Sequence, residues 1–364
     1  MTNERPDPPD DGAWMRRALA LAERGWGQTA PNPMVGAVVV RDGVLVGEGW
    51  HAHYGGAHAE VEALHAAGER SRGATLYVTL EPCDHHGKTP PCTEAILAAG
   101  VRRVVAACED PSPVAQGGAR RLREAGVEVV VGVEEGPARE LNAAFFHVLR
   151  SDRPFVQLKL ALSIDGALAD YSRRPGWLTG DAARREVHRL RAGADAVAVG
   201  IGTVLADDPE LTVRHAAPPR IPPTRVVFDT SARLPRASKL AHGALQIPVV
   251  VVCWAPEPAH AAALEHTGVT LLHAATTRDA LVALRERGLR SVLVEGGAAL
   301  ASALLQEALV DRLIIFRAPL VLGHGALNAF AAVPPTRVGE APRWRLLRSQ
   351  RFEDDEMMVY APPG

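Results

Sequence analysis

At 364 residues the chain is long for one core, and its 47% hydrophobic and 23% charged content suits two ordinary globular domains. A formal net charge of -2 argues against a nucleic-acid-binding protein, which needs a basic face, and no stretch approaches the ~20 apolar residues of a membrane span. Four cysteines, at 83, 92, 108 and 253, exclude a disulfide scaffold and suit a reducing cytoplasm, and the opening MTNERPDPPDDG lacks the basic-then-apolar pattern of a secretory signal.

Residues 1–11 are polar and proline-rich and read as a disordered leader. Trp14, Ala18, Leu19 and Ala22 recur at helical spacing before Gly25, which predicts a first helix. Val35–Val40 and Val44–Gly47 flank Arg41-Asp42-Gly43, the signature of a β-hairpin with an Asp-Gly turn. A helix from about His58, a strand over Thr75–Leu80 and a helix from Cys92 to Ala99, stopped by Gly100, follow. Strands are expected at Val101–Ala107 and Val127–Val133, with a helix ending at Gly126 between them. Strands separated by single helices predict an α/β sandwich with parallel strands. Leu149–Pro154 is the natural boundary, giving one domain over 12–150 and a second over 151–364. The second begins with a strand at Phe155–Leu160. Further strands are expected at Ala194–Gly200, Thr224–Phe228, Pro248–Val252, Ser291–Glu295 and Arg312–Phe316, alternating with helices. The prolines of His215–Pro223 make that stretch a loop, and Thr203–Arg214 fits neither a helix nor a strand repeat.

The most informative residues are His58-Ala59-Glu60, Pro82-Cys83 and Pro91-Cys92. A catalytic zinc takes three protein ligands and keeps one position open for water. His58, Cys83 and Cys92 would supply the three, and Glu60 is placed to move protons between that water and a substrate nitrogen. Both His58 and Cys92 fall at predicted helix N-termini, where the helix dipole favours thiolate and hydroxide. Taken singly, a histidine at a helix start caps or packs, and a free cysteine fills a core. In this order, after a strand and before a helix, the three together point to a metal. Cys108 and Cys253 lack such company and are expected in the core. The pattern H-x-E followed by P-C-x-x-C describes zinc deaminases, and here eight residues separate Cys83 from Cys92.

Pro31-Asn32-Pro33-Met34-Val35-Gly36, His58-Ala59-Glu60 and the run from Thr79 through His85-His86-Gly87-Lys88-Thr89-Pro90-Pro91 to Cys92 resemble the deaminase half of the bacterial bifunctional riboflavin-pathway deaminase/reductases. The long spacer distinguishes that family from cytidine and tRNA-adenosine deaminases. The resemblance implies a cytidine-deaminase-like α/β/α sandwich with one Zn2+ per chain. It implies a diaminopyrimidinone ribosylphosphate as substrate, with Asn32, His51 and Lys88 lining its pocket. The chemistry of those residues agrees. Asn32 offers a donor and an acceptor to a heterocycle edge, and Lys88 offers a point charge to a phosphate. His53 competes with His51 for its role.

In the second half, Gly200-Ile201-Gly202 begins a dinucleotide fingerprint, but Leu205 stands where the third glycine belongs. Val292–Leu300 reads instead as strand, glycine turn and helix, which brings backbone N–H groups to a phosphate or simply makes a tight turn. Lys159–Gly166, Trp177-Leu178-Thr179 and Thr203–Arg214 resemble the reductase half of the same family, so the likeness runs over about residues 12–360. It implies a dihydrofolate-reductase-like α/β domain that uses NADPH to reduce the ribosyl group to ribityl. Ala161, Trp177, Thr203, Asp207, Thr230 and the run Gly297, Ala298, Ala299, Leu300, Ala301, Ser302, Ala303 would contact NADPH. Arg191, Leu211, Arg214 and Glu295 would contact substrate, the arginines gripping its phosphate. In one departure, Ser172-Arg173-Arg174-Pro175-Gly176 replaces the family's Ser-Gly-Glu/Asp-Ser stretch before the tryptophan. The partners expected are small pyrimidine ribosylphosphates, with no nucleic acid or membrane, in a cytoplasmic homo-oligomer. Two other readings stand beside this one. One is a nucleobase or tRNA deaminase with an accessory domain. The other is a zinc-stabilised binding module with His85 or His86 as fourth ligand.

Overall fold

The computed structural model describes residues 10–363 apart from Lys88 and Pro175, and divides after Arg150 into two compact units. The first contains α1 (Asp11–Ala22), β1 (Gly36–Arg41), β2 (Val44–Trp50), α2 (Ala59–Ala67), β3 (Thr75–Val78), α3 (Cys92–Ala98), β4 (Arg103–Ala106), α4 (Gly118–Glu124), β5 (Glu128–Val131), α5 (Glu135–Leu141) and α6 (Ala143–Val148). Asp10 and Asp11, read from sequence as the end of the leader, belong to α1. The Asp10 carboxylate accepts the Ala13 N–H at 2.9 Å and so caps the helix. Residues 1–9 lie outside the described part.

Five strands form one sheet in the order β2-β1-β3-β4-β5. Strands β3, β4 and β5 are parallel, and β1 is antiparallel to both neighbours. The β1–β2 turn has Asp42 and Gly43 at φ 50° and 75°, the left-handed pair that a two-residue hairpin requires. Side chains alternate between two cores. Ala37, Val39, Val104 and Ala106 pack with α2, α3 and α4, while Val38, Val40, Val105 and Ala107 pack with α1 and Phe146. The unit is therefore a three-layer sandwich. Helix α2 lies unusually close to β2: a Cβ on Gly47 would sit 2.2 Å from the Ala63 carbonyl oxygen, and one on Gly49 2.5 Å from that of Ala59. Any side chain there would displace α2, which carries the site residues at its N-terminus.

The second unit runs β6 (Phe155–Leu162), β7 (Ala167–Ala169), α7 (Asp181–Ala192), β8 (Ala196–Gly200), α8 (Ile201–Asp207), β9 (Thr224–Phe228), α9 (Lys239–His242), β10 (Val249–Cys253), α10 (Pro258–Glu265), β11 (Thr270–His273), α11 (Thr277–Glu286), β12 (Ser291–Glu295), α12 (Ala298–Gln306), β13 (Arg312–Arg317), β14 (Leu327–Asn328), β15 (Arg345–Phe352) and β16 (Asp355–Ala361). Its nine-stranded sheet has the order β11-β10-β9-β8-β12-β6-β13-β16-β15. The strands from β11 to β13 are parallel, and the final hairpin adds β16 and β15 antiparallel at one edge. Helices cover both faces, α11 and α12 on one and α7, α8, α9 and α10 on the other. Helix α8 corrects the reading of Thr203–Arg214 as wholly irregular, since Thr203–Asp207 are helical. It has only seven residues and buries only Ile201 and Val204, too short a stripe to show a period.

Candidate active sites

In the first unit the strand ends and helix starts converge. His58 precedes α2 as its N-cap, Glu60 is the second residue of that helix, and Cys92 opens α3. The ligand atoms of His58, Cys83 and Cys92 lie within 4.8 Å of one another, and among the described residues no fourth histidine, cysteine or carboxylate joins them. His58 Nδ1 is 3.2 Å from Cys92 Sγ and 3.5 Å from Cys83 Sγ. Zinc bonds of about 2.05 Å to nitrogen and 2.3 Å to sulfur at tetrahedral angles put ligand atoms roughly 3.6 Å apart, so the donor set fits the ion. The geometry selects Nδ1 as the ligand atom, and Nε2 lies 3.4 Å from Thr89 Oγ1, which steadies the ring. Cys83 receives the Cys92 backbone N–H at 3.5 Å. Its thiol is pushed down chiefly by its hydrogen bond with Cys92, whose own thiol is pushed up by the same bond and by burial.

His58, Glu60, Cys83 and Thr89 line a cavity of about 370 Å³ together with Asn32, His51, His85 and Asp110, and Cys92 lies buried beside it. Glu60 is 4% exposed, and burial raises its carboxyl pKa. His51 and Asn32 act as a pair. The Ala57 carbonyl accepts from His51 Nδ1 at 3.0 Å, which puts the proton on Nδ1 and leaves Nε2 to accept the Asn32 amide at 3.2 Å. Burial lowers the His51 pKa, consistent with this neutral form. His53, the other candidate, is exposed and is not among the residues that line the cavity, whereas His51 is. His86 is turned to Glu94 at 3.5 Å, and His85 lines the cavity without entering the ligand group. Lys88 lies outside the described residues.

Two acids in this cavity region were not anticipated. Glu81 accepts the N–H groups of Asp110, Gly117 and Ala119 at 3.0, 3.2 and 2.8 Å, and so fixes the loop after β4. That loop presents Asp110, whose carboxyl burial pushes up to about 6. Both acids lie in ordinary polar loops, and only the long-range hydrogen bonds reveal them.

In the second unit the carboxyl ends of the parallel strands gather the sequence candidates. Ala161 stands near the end of β6, Glu295 ends β12 beside Lys159 of β6, and Thr230 follows β9. A Cβ on Gly297, the N-cap of α12, would sit 3.5 Å from Thr203 Oγ1, so the α8 and α12 candidates adjoin. Along α12, Leu300, Ala301 and Ser302 are buried, so contacts to a cofactor would come from Gly297, Ala298, Ala299 and the half-buried Ala303. Asp207, the last residue of α8, is exposed. Trp177 is 75% exposed, with the Arg184 guanidinium 5.0 Å from its ring, and is not joined to this group by any contact given above. In the altered stretch, Ser172 and Arg173 donate to the Asp170 carboxylate, and Pro175 lies outside the described residues.

Arg191 does not present the open fork that phosphate gripping requires. Its Nε and Nη2 donate to the two Glu295 oxygens, the latter at 3.0 Å, and Nη1 donates to the Thr212 carbonyl at 2.9 Å. The side chain is 11% exposed. Lys159, which sequence reading quoted without a role, has Nζ 3.9 Å from Glu295, and burial lowers its pKa. Against burial, which raises it, Arg191 and Lys159 hold the Glu295 carboxyl down to about 2. Arg214 is exposed and pairs with Glu210. Leu211 is buried in the core.

The pattern described as the RibD C-terminal domain matches residues 154–358, and that of the cytidine and deoxycytidylate deaminase zinc-binding region matches residues 8–108. The riboflavin biosynthesis protein RibD of Aquifex aeolicus is 43% identical over 316 residues, covering 86% of this chain and 88% of that one. That of Escherichia coli is 42% identical over 353 residues, covering 92% and 95%. Among solved structures, Acinetobacter baumannii RibD superposes with a TM-score of 0.83 at 40% identity, over 97% of this chain and 99% of that one. The deaminase/uracil reductase of Thermotoga maritima gives 0.83 at 36% identity, over 97% and 98%. The two domains, their folds and this full-length likeness place the chain in the RibD family, the bifunctional deaminase/reductases of riboflavin biosynthesis.

Proposed function

We propose that residues 12–150 deaminate a diaminopyrimidinone ribosylphosphate and that residues 151–364 then reduce its ribosyl group to ribityl with NADPH. The observation that carries the first step is the three-ligand group beside Glu60 in one cavity. His58, Cys83 and Cys92 would hold one Zn2+, which when bound supplies a water of lowered pKa. Glu60 would take a proton from the water whose oxygen adds to the amine-bearing ring carbon, and return it to the nitrogen, which leaves as ammonia. Asn32, held by His51, keeps its amide oxygen for the heterocycle edge, and Lys88 is assigned to the phosphate. For the second step NADPH, when bound, would supply the hydride for the anomeric carbon, whose bond to the ring oxygen breaks as that oxygen takes a proton from solvent. Glu295, kept anionic by Arg191 and Lys159, accepts ribose hydroxyls. Arg214 takes the phosphate, and Ala161, Trp177, Thr203, Asp207, Thr230 and the start of α12 would hold NADPH. The four buried free cysteines suit a reducing cytoplasm, and no helix among the described residues is long and apolar enough to cross a membrane. Cytoplasmic location and a homo-oligomeric state belong to the same proposal.

Cys83→Ser separates the two reactions. Zinc content and ammonia release are expected to vanish, while reduction of the already deaminated intermediate persists. Folding must be checked by NADPH binding, because a bound metal also stabilises its own domain. A folded variant unable to reduce the intermediate would show that the two sites depend on one another.

Arg214→Ala tests the phosphate assignment. A charge-assisted hydrogen bond contributes ~1.5–3 kcal/mol, so kcat/KM for the phosphorylated intermediate should drop by roughly one to two orders of magnitude. The dephosphorylated form should be little affected, and NADPH affinity should hold. Loss of the preference for NADPH over NADH with an unchanged KM would move Arg214 to the cofactor's 2′-phosphate.

A further inference from the structure

We infer that His188 is a positioning residue that holds the Leu211–His215 segment so that Arg214 meets the substrate phosphate, an inference that rests on the assignment of Arg214 to substrate made above. His188 lies on α7 and is 7% exposed. Its Nδ1 is 3.0 Å from the Arg214 backbone nitrogen. A backbone N–H only donates, so Nδ1 is the unprotonated acceptor and the ring proton sits on Nε2. The groups facing this ring are Arg191, Arg214, Glu295 and His215. Burial, then the two arginine charges, push its pKa down to about 4, so the neutral acceptor persists at neutral pH.

One turn further along α7, Arg191 Nη1 donates to the Thr212 carbonyl at 2.9 Å. Helix α7 therefore holds the segment at residues 212 and 214, through a donor and an acceptor three positions apart. The segment does not hold itself in this path. Leu211 and His215 have φ of 54° and 56°, a region that residues with a side chain seldom enter. The His215 ring stands edge-on against His188 with centroids 5.5 Å apart. The guanidinium of Arg214 is left exposed and, among the described residues, is joined to Glu210, just before the segment, and to Thr212 Oγ1. Its place is set by its backbone, and a displacement of about 1 Å in a binding group is enough to weaken binding severely.

The test compares two variants of the full chain that keep a polar side chain. Asn places its amide oxygen near the position of Nδ1, whereas Gln places it one bond further out. His188→Asn should keep the KM for the phosphorylated intermediate within about threefold, and His188→Gln should raise it by about fivefold or more, the scale of one lost hydrogen bond. In both, kcat should stay within about twofold and the KM for the dephosphorylated intermediate should not move, because no group is removed from the transition state. NADPH binding and ammonia release by the same chain report folding. Equal KM values for the two variants, or a fall in kcat at constant KM, overturn the inference. If His188→Gln fails to bind NADPH, the KM of His188→Asn decides, and a rise well beyond about threefold counts against the proposal. Arg214→Ala run alongside separates the two levels. No KM effect there sinks the phosphate assignment itself, whereas an effect there without one at His188 sinks only the positioning role.

Discussion

Glu60→Gln should keep one zinc per chain and lose ammonia release by ~10²–10⁴-fold, the usual contribution of general acid–base catalysis. Gln has the same shape as Glu and cannot carry the proton. His58, Cys83 and Cys92 form the ligand group without Glu60, so the metal has no reason to leave. Glu60 is buried on α2, which is clamped against β2 through Gly47 and Gly49, so the substituted side chain stays where the carboxylate was. Metal analysis and ammonia release on the purified variant check the expectation, with reduction of the deaminated intermediate as the control for an intact chain. Turnover near the wild-type rate would remove Glu60 from the proton path. Loss of zinc along with activity would make it part of the metal's support.

The deaminase half was legible because its chemistry is short-range in sequence and its strands are buried. Val38, Val39 and Val40 read as strand because alternate side chains enter separate cores, and both cores are apolar. His58 and Cys92 announced themselves by standing at helix starts. Glu81 and Asp110 did not, because their meaning lies in hydrogen bonds to N–H groups 29 to 38 residues away. The second half was harder in proportion to its exposure. Strand β15 carries Arg345, Arg348 and Arg351 on a sheet edge, where no apolar face marks the period. Strand β11 has four residues, of which only Leu272 is buried. For Arg191 the residue was found, and the partner the fold gives it is a carboxylate. On a helix pattern alone an arginine in the last turn reads as a free cation, and only the fold places Glu295, 104 residues away, against two of its three nitrogens.

That pairing sets the second large expectation. Arg191→Met leaves the Glu295 carboxylate buried with Lys159 at 3.9 Å as its remaining cation. Removing one partner of a buried ion pair destabilises by ~3–5 kcal/mol, because the other charge is left without compensation. For a domain of this size that lowers the reductase transition by roughly 6–15 °C, measurable by calorimetry of the full chain. Adding Glu295→Gln to Arg191→Met should recover much of the loss, since the uncompensated charge is then gone. The double variant should still fail as a reductase, because the acceptor for the ribose hydroxyls has been removed. The pH dependence has a definite sign. The folded-state pKa of Glu295 is held at about 2 against an ordinary 4.5, so its stabilising contribution is complete above the ordinary value and fades as pH falls toward 2. Without Arg191 that pKa rises. The stability gap between wild type and Arg191→Met should therefore be full above the variant's raised Glu295 pKa and close on acidification toward pH 2, as Glu295 takes up a proton in both proteins. If Arg191→Met melts with the wild type at neutral pH, or the double variant is no more stable than the single, the pair is not an isolated buried ion pair. A double variant that still reduces the intermediate would instead take Glu295 out of the reaction.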